Sequence, residues 1–179
     1  MRGERVHIRF LSPEDAAEKL KLEKDNRNFF EAYSMTRYPD FYTLLIQREM
    51  IEIYADQKEN DQAYSFGIFE NETGLLVGTI SLVQVMRGPL QSAVLGYAMD
   101  KKHNNKGYTT EAVKLIVAYA FRKLALHRIE AGVMPGNDAS IRVLEKAGFH
   151  KEGIAIKNVQ INGQWRDHQV LAIINPRDL

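Results

Sequence analysis

A polar loop between a predicted strand and a predicted helix carries the residues best suited to hold a phosphate group. The loop runs from Asp100 to Tyr108 and includes three lysines. Gly107 lets a phosphate approach the main chain, and Asn105 is the non-glycine residue type that best tolerates a left-handed conformation. The helix that follows would direct unpaired N–H groups and the positive end of its dipole at the same point. The loop is therefore a candidate diphosphate site, although an ordinary solvated turn would explain these residues equally well.

Other common chemistries lack their signatures. Neither G-x-x-x-x-G-K-[ST] nor G-x-G-x-x-G occurs, so the sequence lacks the usual nucleotide-binding motifs of ATP hydrolysis and nicotinamide redox chemistry. The sequence has no cysteine, which excludes disulfides, thiolate metal sites and a cysteine nucleophile. The five histidines are scattered without a recurring ligand spacing, so we predict no metal.

Hydrophobic periodicity predicts the elements that position this loop. The predicted order is strand, two helices, three strands, helix, strand, helix and two strands. Such an order favours a mixed α/β (α+β) domain, in which helices cover the faces of a mixed sheet. No repeat or linker divides residues 1–179. Strands are predicted at 6–10, 64–69, 75–85, 92–99, 128–133, 149–160 and 165–174, and helices at about 13–24, 44–58 and 108–124 and between 137 and 148.

Composition restricts the class of partner. Of the 179 residues, 24 are Lys or Arg and 23 are Asp or Glu, so no global field attracts nucleic acid or anionic lipid. No window approaches the roughly 18 apolar residues of a membrane span, and Met1-Arg-Gly-Glu-Arg leads into alternating residues without an apolar signal region. We therefore expect a cytoplasmic protein that binds neither membrane nor nucleic acid directly.

Three segments resemble the GCN5-related N-acetyltransferases (GNAT), especially the RimJ/RimL-like branch that acts on ribosomal-protein N-termini. Residues 95–112, LGYAMDKKHNNKGYTTEA, are similar to the acetyl-CoA motif of the family. Residues 127–149 include HRIE and NDASIRVLEKAGF, and residues 152–167 include EG and NGQWRD. The resemblance covers almost the whole chain. It implies a mostly antiparallel sheet of about seven strands that splays between strands 4 and 5.

The resemblance also implies that acetyl-CoA is the co-substrate and that no metal is needed. A strand bulge near Tyr97 to Met99 would free main-chain groups that bind the pantetheine arm and polarise the thioester carbonyl. The diphosphate would lie on the main chain of the loop, and the Asn137 amide would bind pantetheine. The cofactor-binding residues implied in this way are Tyr97, Ala98, Met99, Asn104, Asn105, Lys106, Gly107, Tyr108, Thr109 and Asn137.

The chain departs from the family pattern at three positions. Asn105 replaces the first glycine of the loop motif, which would make the loop less open. Leu144 occupies the position of the tyrosine that serves as general acid in the RimI branch, and Gly132 occupies the position of its glutamate base. The catalytic groups of that branch are therefore not carried over to this chain.

The resemblance places Ser140 near the sulfur, where its hydroxyl could protonate the departing thiolate. A base must also remove a proton from the acceptor amine. The candidates are Glu130, Glu152, His127 and Asp167, and each of them also has a structural explanation. We predict that the catalytic residues are Ser140, Glu130 and Glu152.

The predicted function is acetyl transfer to a primary amine, with a protein or peptide N-terminal α-amine as the leading acceptor. A polyamine or an aminoglycoside is the alternative acceptor, and a non-catalytic acyl-CoA sensor is an alternative class. A ribosome-binding accessory protein ranks last, because no basic stripe with interleaved aromatics is present. The aromatic stretch from Phe29 to Tyr42 is either core beneath a loop or, by resemblance, a wall of the acceptor site. A homodimer is left open.

Overall fold

Seven strands join in one sheet in the order β1-β2-β3-β4-β5-β7-β6. Neighbouring strands are antiparallel except for β4 and β5, which run parallel. The structure is a computed structural model that describes residues 1–35 and 37–178; Thr36, within the aromatic stretch, and Leu179 lie outside the described residues. The strands are β1 (Val6–Phe10), β2 (Tyr64–Glu70), β3 (Leu76–Met86), β4 (Ser92–Met99), β5 (Arg128–Val133), β6 (His150–Ile161) and β7 (Gln164–Ile174).

The helices cover both faces of this sheet. They are α1 (Ala16–Asp25), α2 (Arg27–Glu31), α3 (Leu44–Glu59), α4 (Tyr108–Arg122) and α5 (Asp138–Lys146). Successive residues of a strand point to opposite faces. Accordingly, Leu95 and Met99 of β4 pack into the main core with α4 and α5, whereas Ala98 packs beside Leu22 of α1 and Phe30 of α2. The mixed, mostly antiparallel architecture with helices on both faces is confirmed.

The predicted elements agree with the structure except in the aromatic stretch. The ranges 92–99 and 128–133 match β4 and β5 at both ends. Between α1 and α3, where the sequence indicated irregular chain, lie the short helix α2 and a 3-10 turn at Pro39–Tyr42. Asn26 makes this corner, because its Nδ2 donates to Leu22 O at 3.0 Å and its Oδ1 accepts from Lys101 N at 2.9 Å. That second bond comes from a distant part of the chain, so local periodicity could not reveal it.

Candidate active site

The two parallel strands at the centre of the sheet separate along their length. They pair only at Ser92↔Arg128, Ala93↔Ile129 and Val94↔Glu130. Beyond that point β4 stays paired with β3 as far as Met99, and β5 stays paired with β7 as far as Val133. Residues 95–99 and 131–133 therefore form two walls of a gap, which opens towards the loop before α4. The splay expected between strands 4 and 5 is confirmed.

The free main-chain groups of this gap do not come from a bulge at the predicted position. The β3–β4 register is regular from Gly78↔Met99 to Val83↔Val94, and its shift lies between Val83 and Met86. The bulge expected near Tyr97 to Met99 is therefore wrong. Main-chain groups on the β5 side of residues 95–99 lack a strand partner because β5 diverges. The divergence therefore leaves free the hydrogen-bonding groups that a bulge was expected to free.

The loop before α4 presents a run of unpaired amides. Gly107 caps α4 with a φ of 80°, and Asn105 has a φ of 63°. The first helical bond is donated by Glu111 N to Gly107 O at 3.1 Å. Across the described residues, no acceptor is found for the N–H groups of residues 105–110. Six consecutive donors at the positive end of a 15-residue helix suit a diphosphate, whose oxygens accept many hydrogen bonds.

Two residues outside the predicted set hold this loop in place. Arg5 Nη1 donates to Lys106 O at 2.8 Å. Glu111 Oε1 accepts from the main-chain N–H groups of Arg5 at 2.9 Å and Val6 at 3.3 Å. A Cβ added at Gly107 would lie 2.9 Å from Arg5 Nη1, so both the left-handed φ and this close approach require glycine. Glu111 lies within residues 95–112, the segment that resembles the acetyl-CoA motif, but nothing in the local sequence identifies Arg5.

The start of α5 lies against the β4 wall of the gap. Asn137 caps α5 by accepting a bond from Ser140 N at 3.3 Å. The Oη of Tyr97 and the Oγ of Ser140 are 2.7 Å apart, and Tyr97 Oη also donates to Ser140 O at 3.2 Å. Burial raises the pKa of Tyr97 to about 12, so the phenol keeps its proton at neutral pH. The structure therefore joins one predicted cofactor-binding residue to one predicted catalytic residue, a link that was not predicted.

One arginine holds both glutamates proposed as bases. Arg128 Nε donates to Glu130 at 2.8 Å, and its Nη atoms bind both carboxylate oxygens of Glu152. Hydrogen bonding to Arg128, with a further bond from His150, lowers the pKa of Glu152 to about 2. A carboxylate this acidic is a weak proton acceptor near pH 7. Glu130 pairs with Val94 at the closed end of the gap. The two glutamates therefore differ in how well they could act as the base.

The other two candidate bases have clear structural contacts. His127 directly precedes β5, at the paired end of the strand, and its Nδ1 lies 3.0 Å from Asp178 Oδ2. Asp167 Oδ1 accepts from Lys157 N at 2.8 Å, where Lys157 has a φ of 48° and the β6–β7 register shifts. These contacts order the last segment and the last hairpin.

Two hollows lie on the face of the sheet that carries α1 and α3. A cavity of about 170 Å³ lies between these helices and β3, and the buried Lys19 and Glu23 line it together with Arg37 and Ser81. Arg37 Nη1 donates to Glu23 Oε2 at 2.6 Å, and burial lowers the pKa of Lys19. A larger cleft of about 590 Å³ lies between residues 24–29 and residues 100–102, next to the loop before α4.

Within the aromatic stretch, the side chains divide between core and surface. Phe30 is 6% exposed and belongs to the smaller core with Leu22. Tyr42 is 8% exposed and donates its hydroxyl to Glu31, whereas Tyr38 is 85% exposed. The stretch therefore contains both buried packing and free surface.

The part of the chain that the structure describes has neither a metal-binding cluster nor a membrane-spanning helix. Residues 1–35 and 37–178 contain no cluster of three or more His, Asp or Glu side chains able to hold a metal ion. Over the same residues, no helix combines the length and the apolar character that crossing a bilayer requires.

Comparison with known proteins gives a family match and several full-length relatives. Residues 5–150 match the acetyltransferase (GNAT) domain family. A protein of Bacillus subtilis (strain 168) named probable N-acetyltransferase YjcK is 57% identical over 178 residues, covering 99% of this chain and 98% of that protein. The [ribosomal protein uS5]-alanine N-acetyltransferase of Escherichia coli (strain K12) is 31% identical over 178 residues, covering 97% of this chain and 89% of that protein.

Solved structures give the same result. The ribosomal-protein-S5-alanine acetyltransferase of Vibrio fischeri superposes with a TM-score of 0.93 at 28% identity, covering 98% of this chain and 96% of that one. Mycobacterium smegmatis RimJ in complex with CoA-disulfide has a TM-score of 0.91 at 26% identity, covering 97% and 83%. Together with the splayed strands and the unpaired amides before α4, these matches show that the chain belongs to the GNAT family, in its RimJ/RimL-like branch, and is an acetyl-CoA-dependent N-acetyltransferase.

Proposed function

We propose that the acceptor is the N-terminal α-amine of a protein or peptide, of the kind that ribosomal-protein acetyltransferases modify. The observation that carries this proposal is the full-length similarity to the uS5-alanine enzyme of Escherichia coli, at 31% identity over 178 residues. The similarity spans the gap, the loop and the terminal hairpin together, so it includes the elements that surround an acceptor.

Charges near the gap favour this acceptor over a polyamine. A polycation would require a surplus of carboxylates in the hollow beside the gap. The 170 Å³ cavity instead has Lys19 and Arg37 around a single glutamate, Glu23. Lys19 and Glu23 are 2% and 4% exposed, so solvent screens their charges poorly. A long polyamine would meet repulsion there, whereas a peptide would present one amine and a neutral backbone.

Acetyl-CoA would lie along β4 in the proposed complex. The N–H groups of residues 105–110 would bind its diphosphate, and the unpaired main-chain groups of residues 97–99 would bind the pantetheine arm and the thioester carbonyl. Asn104 lies outside this run of donors, because its N–H already donates to Lys101 O at 3.4 Å. Asn137, at the start of α5, would also bind the arm. Donors already held in position pay no reorganisation cost when charge develops on the carbonyl oxygen.

The chemical step is direct attack of the neutral amine on the thioester carbon. The N–C bond forms, the C–S bond breaks, and the thiolate takes a proton from Ser140 Oγ. The Tyr97 hydroxyl lies 2.7 Å from the serine oxygen, and its proton turns from Ser140 O to that oxygen as negative charge develops there. A base removes the proton lost by the amine. Of the two glutamates, Glu130 remains the better candidate, because the pKa of Glu152 is lowered to about 2.

The test is a thiol-release assay with acetyl-CoA and a panel of acceptors, followed by mass spectrometry of the product. We expect transfer to the α-amine of peptides that copy ribosomal-protein N-termini, and none to the same peptides with a blocked N-terminus. Faster transfer to spermidine or an aminoglycoside would replace the proposed acceptor. Heat stabilisation by acetyl-CoA without transfer to any amine would favour the sensor.

A further inference from the structure

The two faces of the gap differ in what they present to a ligand. In-register residues of parallel neighbours point to the same face of a sheet. Val94 and Glu130 are such a pair, so Gly96 and Gly132, each two residues further on, lie on their face. Tyr97 lies on the opposite face, with Ser140. The thiolate side and the amine side of the reaction are therefore separated by the sheet.

On the amine side, a glycine stands on each wall of the gap. Gly96 and Gly132 are both exposed. A Cβ added at Gly96 would have only Ser81 Oγ within 4 Å, at 4.0 Å, and the three atoms nearest to one added at Gly132 all belong to His168. Two positions without side chains leave this mouth of the gap open. Ser81 and His168 lie beside this mouth.

His168 lies directly beside this opening. The Cβ position of Gly132 would be 3.6 Å from both Cβ and Cδ2 of His168. The residue is only 6% exposed, so the ring is held by its surroundings. β7 fixes its location, because Gly132 pairs with Val170 and His168 is two residues further along the same face. The imidazole of His168 therefore lies next to the space that a side chain at Gly132 would occupy.

The hydrogen bonding of the ring selects one tautomer. Nδ1 of His168 lies 3.2 Å from Arg166 O, and a carbonyl only accepts, so Nδ1 carries the proton of the neutral ring. Nε2 then holds a lone pair, and no described residue donates to it. Among the described side chains, Ser34 Oγ is the only fully enclosed polar atom without a partner, so Nε2 reaches accessible space.

We propose that His168 is the general base of the reaction, an inference that rests on the proposed function. Nε2 takes the proton of the acceptor amine as the N–C bond forms, while the thiolate leaving towards the other face takes its proton from Ser140. The imidazolium then releases its proton to solvent, and Ser140 Oγ takes a proton back from solvent, which restores both groups. Glu130 is less suited than His168, because Arg128 Nε already binds its carboxylate at 2.8 Å.

The test compares His168→Gln with His7→Gln, a matched change on the distant edge strand β1. With a peptide α-amine as acceptor, we expect His168→Gln to lower kcat by about 10²- to 10⁴-fold and to leave the Kd for acetyl-CoA unchanged. With a fluorinated acceptor whose amine is already unprotonated at neutral pH, the loss should be less than about 10-fold, because attack leaves its nitrogen acidic enough for water to take the proton. His7→Gln should behave as wild type with both acceptors.

Equal losses with both acceptors would mean that His168 is only structural, and no loss would remove it from the reaction. If the wild-type enzyme acetylates no peptide, the proposed function itself fails, which is a separate result. Should His168→Gln not fold, the wild-type protein still gives an answer through the ¹⁵N resonance of Nε2. Binding of an analogue that joins CoA to the acceptor should shift that resonance, and an unchanged resonance would overturn the proposal.

Discussion

Replacing Gly107 by alanine tests whether the loop before α4 holds the diphosphate. A non-glycine residue at a φ of 80° costs about 1–2 kcal/mol. The new Cβ would also lie 2.9 Å from Arg5 Nη1 and displace its bond to Lys106 O, worth about 1 kcal/mol. The free energy of unfolding should therefore fall by roughly 2–3 kcal/mol. At about 2–4 °C per kcal/mol, Tm should fall by roughly 4–12 °C.

Gly74→Ala is the matched control for this change. Gly74 has a φ of 74° in the β2–β3 turn, and nothing lies within 4 Å of the Cβ position. It should incur the backbone strain alone, so its Tm should fall less than that of Gly107→Ala. Its Kd for acetyl-CoA should not change, whereas Gly107→Ala should weaken binding at least 10-fold because the donors move.

The assays are thermal unfolding with and without acetyl-CoA and titration calorimetry. Gly107→Glu extends the series, because a carboxylate beside the diphosphate should abolish the stabilisation by acetyl-CoA. If Gly107→Ala and Gly107→Glu both keep the wild-type Kd, the loop does not bind the diphosphate, and the placement of acetyl-CoA is refuted.

Three further predictions concern the walls of the gap. Ser140→Ala should lower kcat by about 10-fold or more with little change in the Kd for acetyl-CoA, and Tyr97→Phe should have a smaller effect in the same direction, both read from single-turnover rates. Arg5→Gln should raise the Kd for acetyl-CoA several-fold, read by calorimetry, because the loop loses its brace. Arg128→Gln should remove the stability that the wild-type protein gains from pairing ionised Glu152 with Arg128. In the wild type that contribution is complete above the unfolded pKa of Glu152 and is lost as pH falls towards about 2. The variant's deficit in Tm should therefore shrink between pH 5 and pH 2, and a constant deficit would mean that the Glu152 pairing does not contribute.

Local patterns predicted the elements that depend on neighbouring residues. The boundaries of β4 and β5 follow from periodicity, and Asn105 has the left-handed conformation that its residue type tolerates. The family resemblance supplied the splay, because nothing in either strand alone says where two parallel strands stop pairing.

What the sequence could not predict depends on contacts between distant segments. Arg5 braces a loop about 100 positions away, and the pair Tyr97–Ser140 joins a strand to a helix that follows the next strand. His168 becomes a candidate only when β7 is placed beside Gly132. The misplaced bulge has the same origin, because the freed groups of residues 97–99 result from the path of β5 and not from any irregularity in β4.

The interaction on which the account depends is the binding of the cofactor's diphosphate by the main-chain amides of residues 105–110. Hydrogen–deuterium exchange measured with CoA and with pantetheine, which lacks the phosphates, tests it directly. We expect CoA to slow the exchange of these six amides strongly and pantetheine to leave their exchange fast. Equal exchange of residues 105–110 with and without CoA would contradict it.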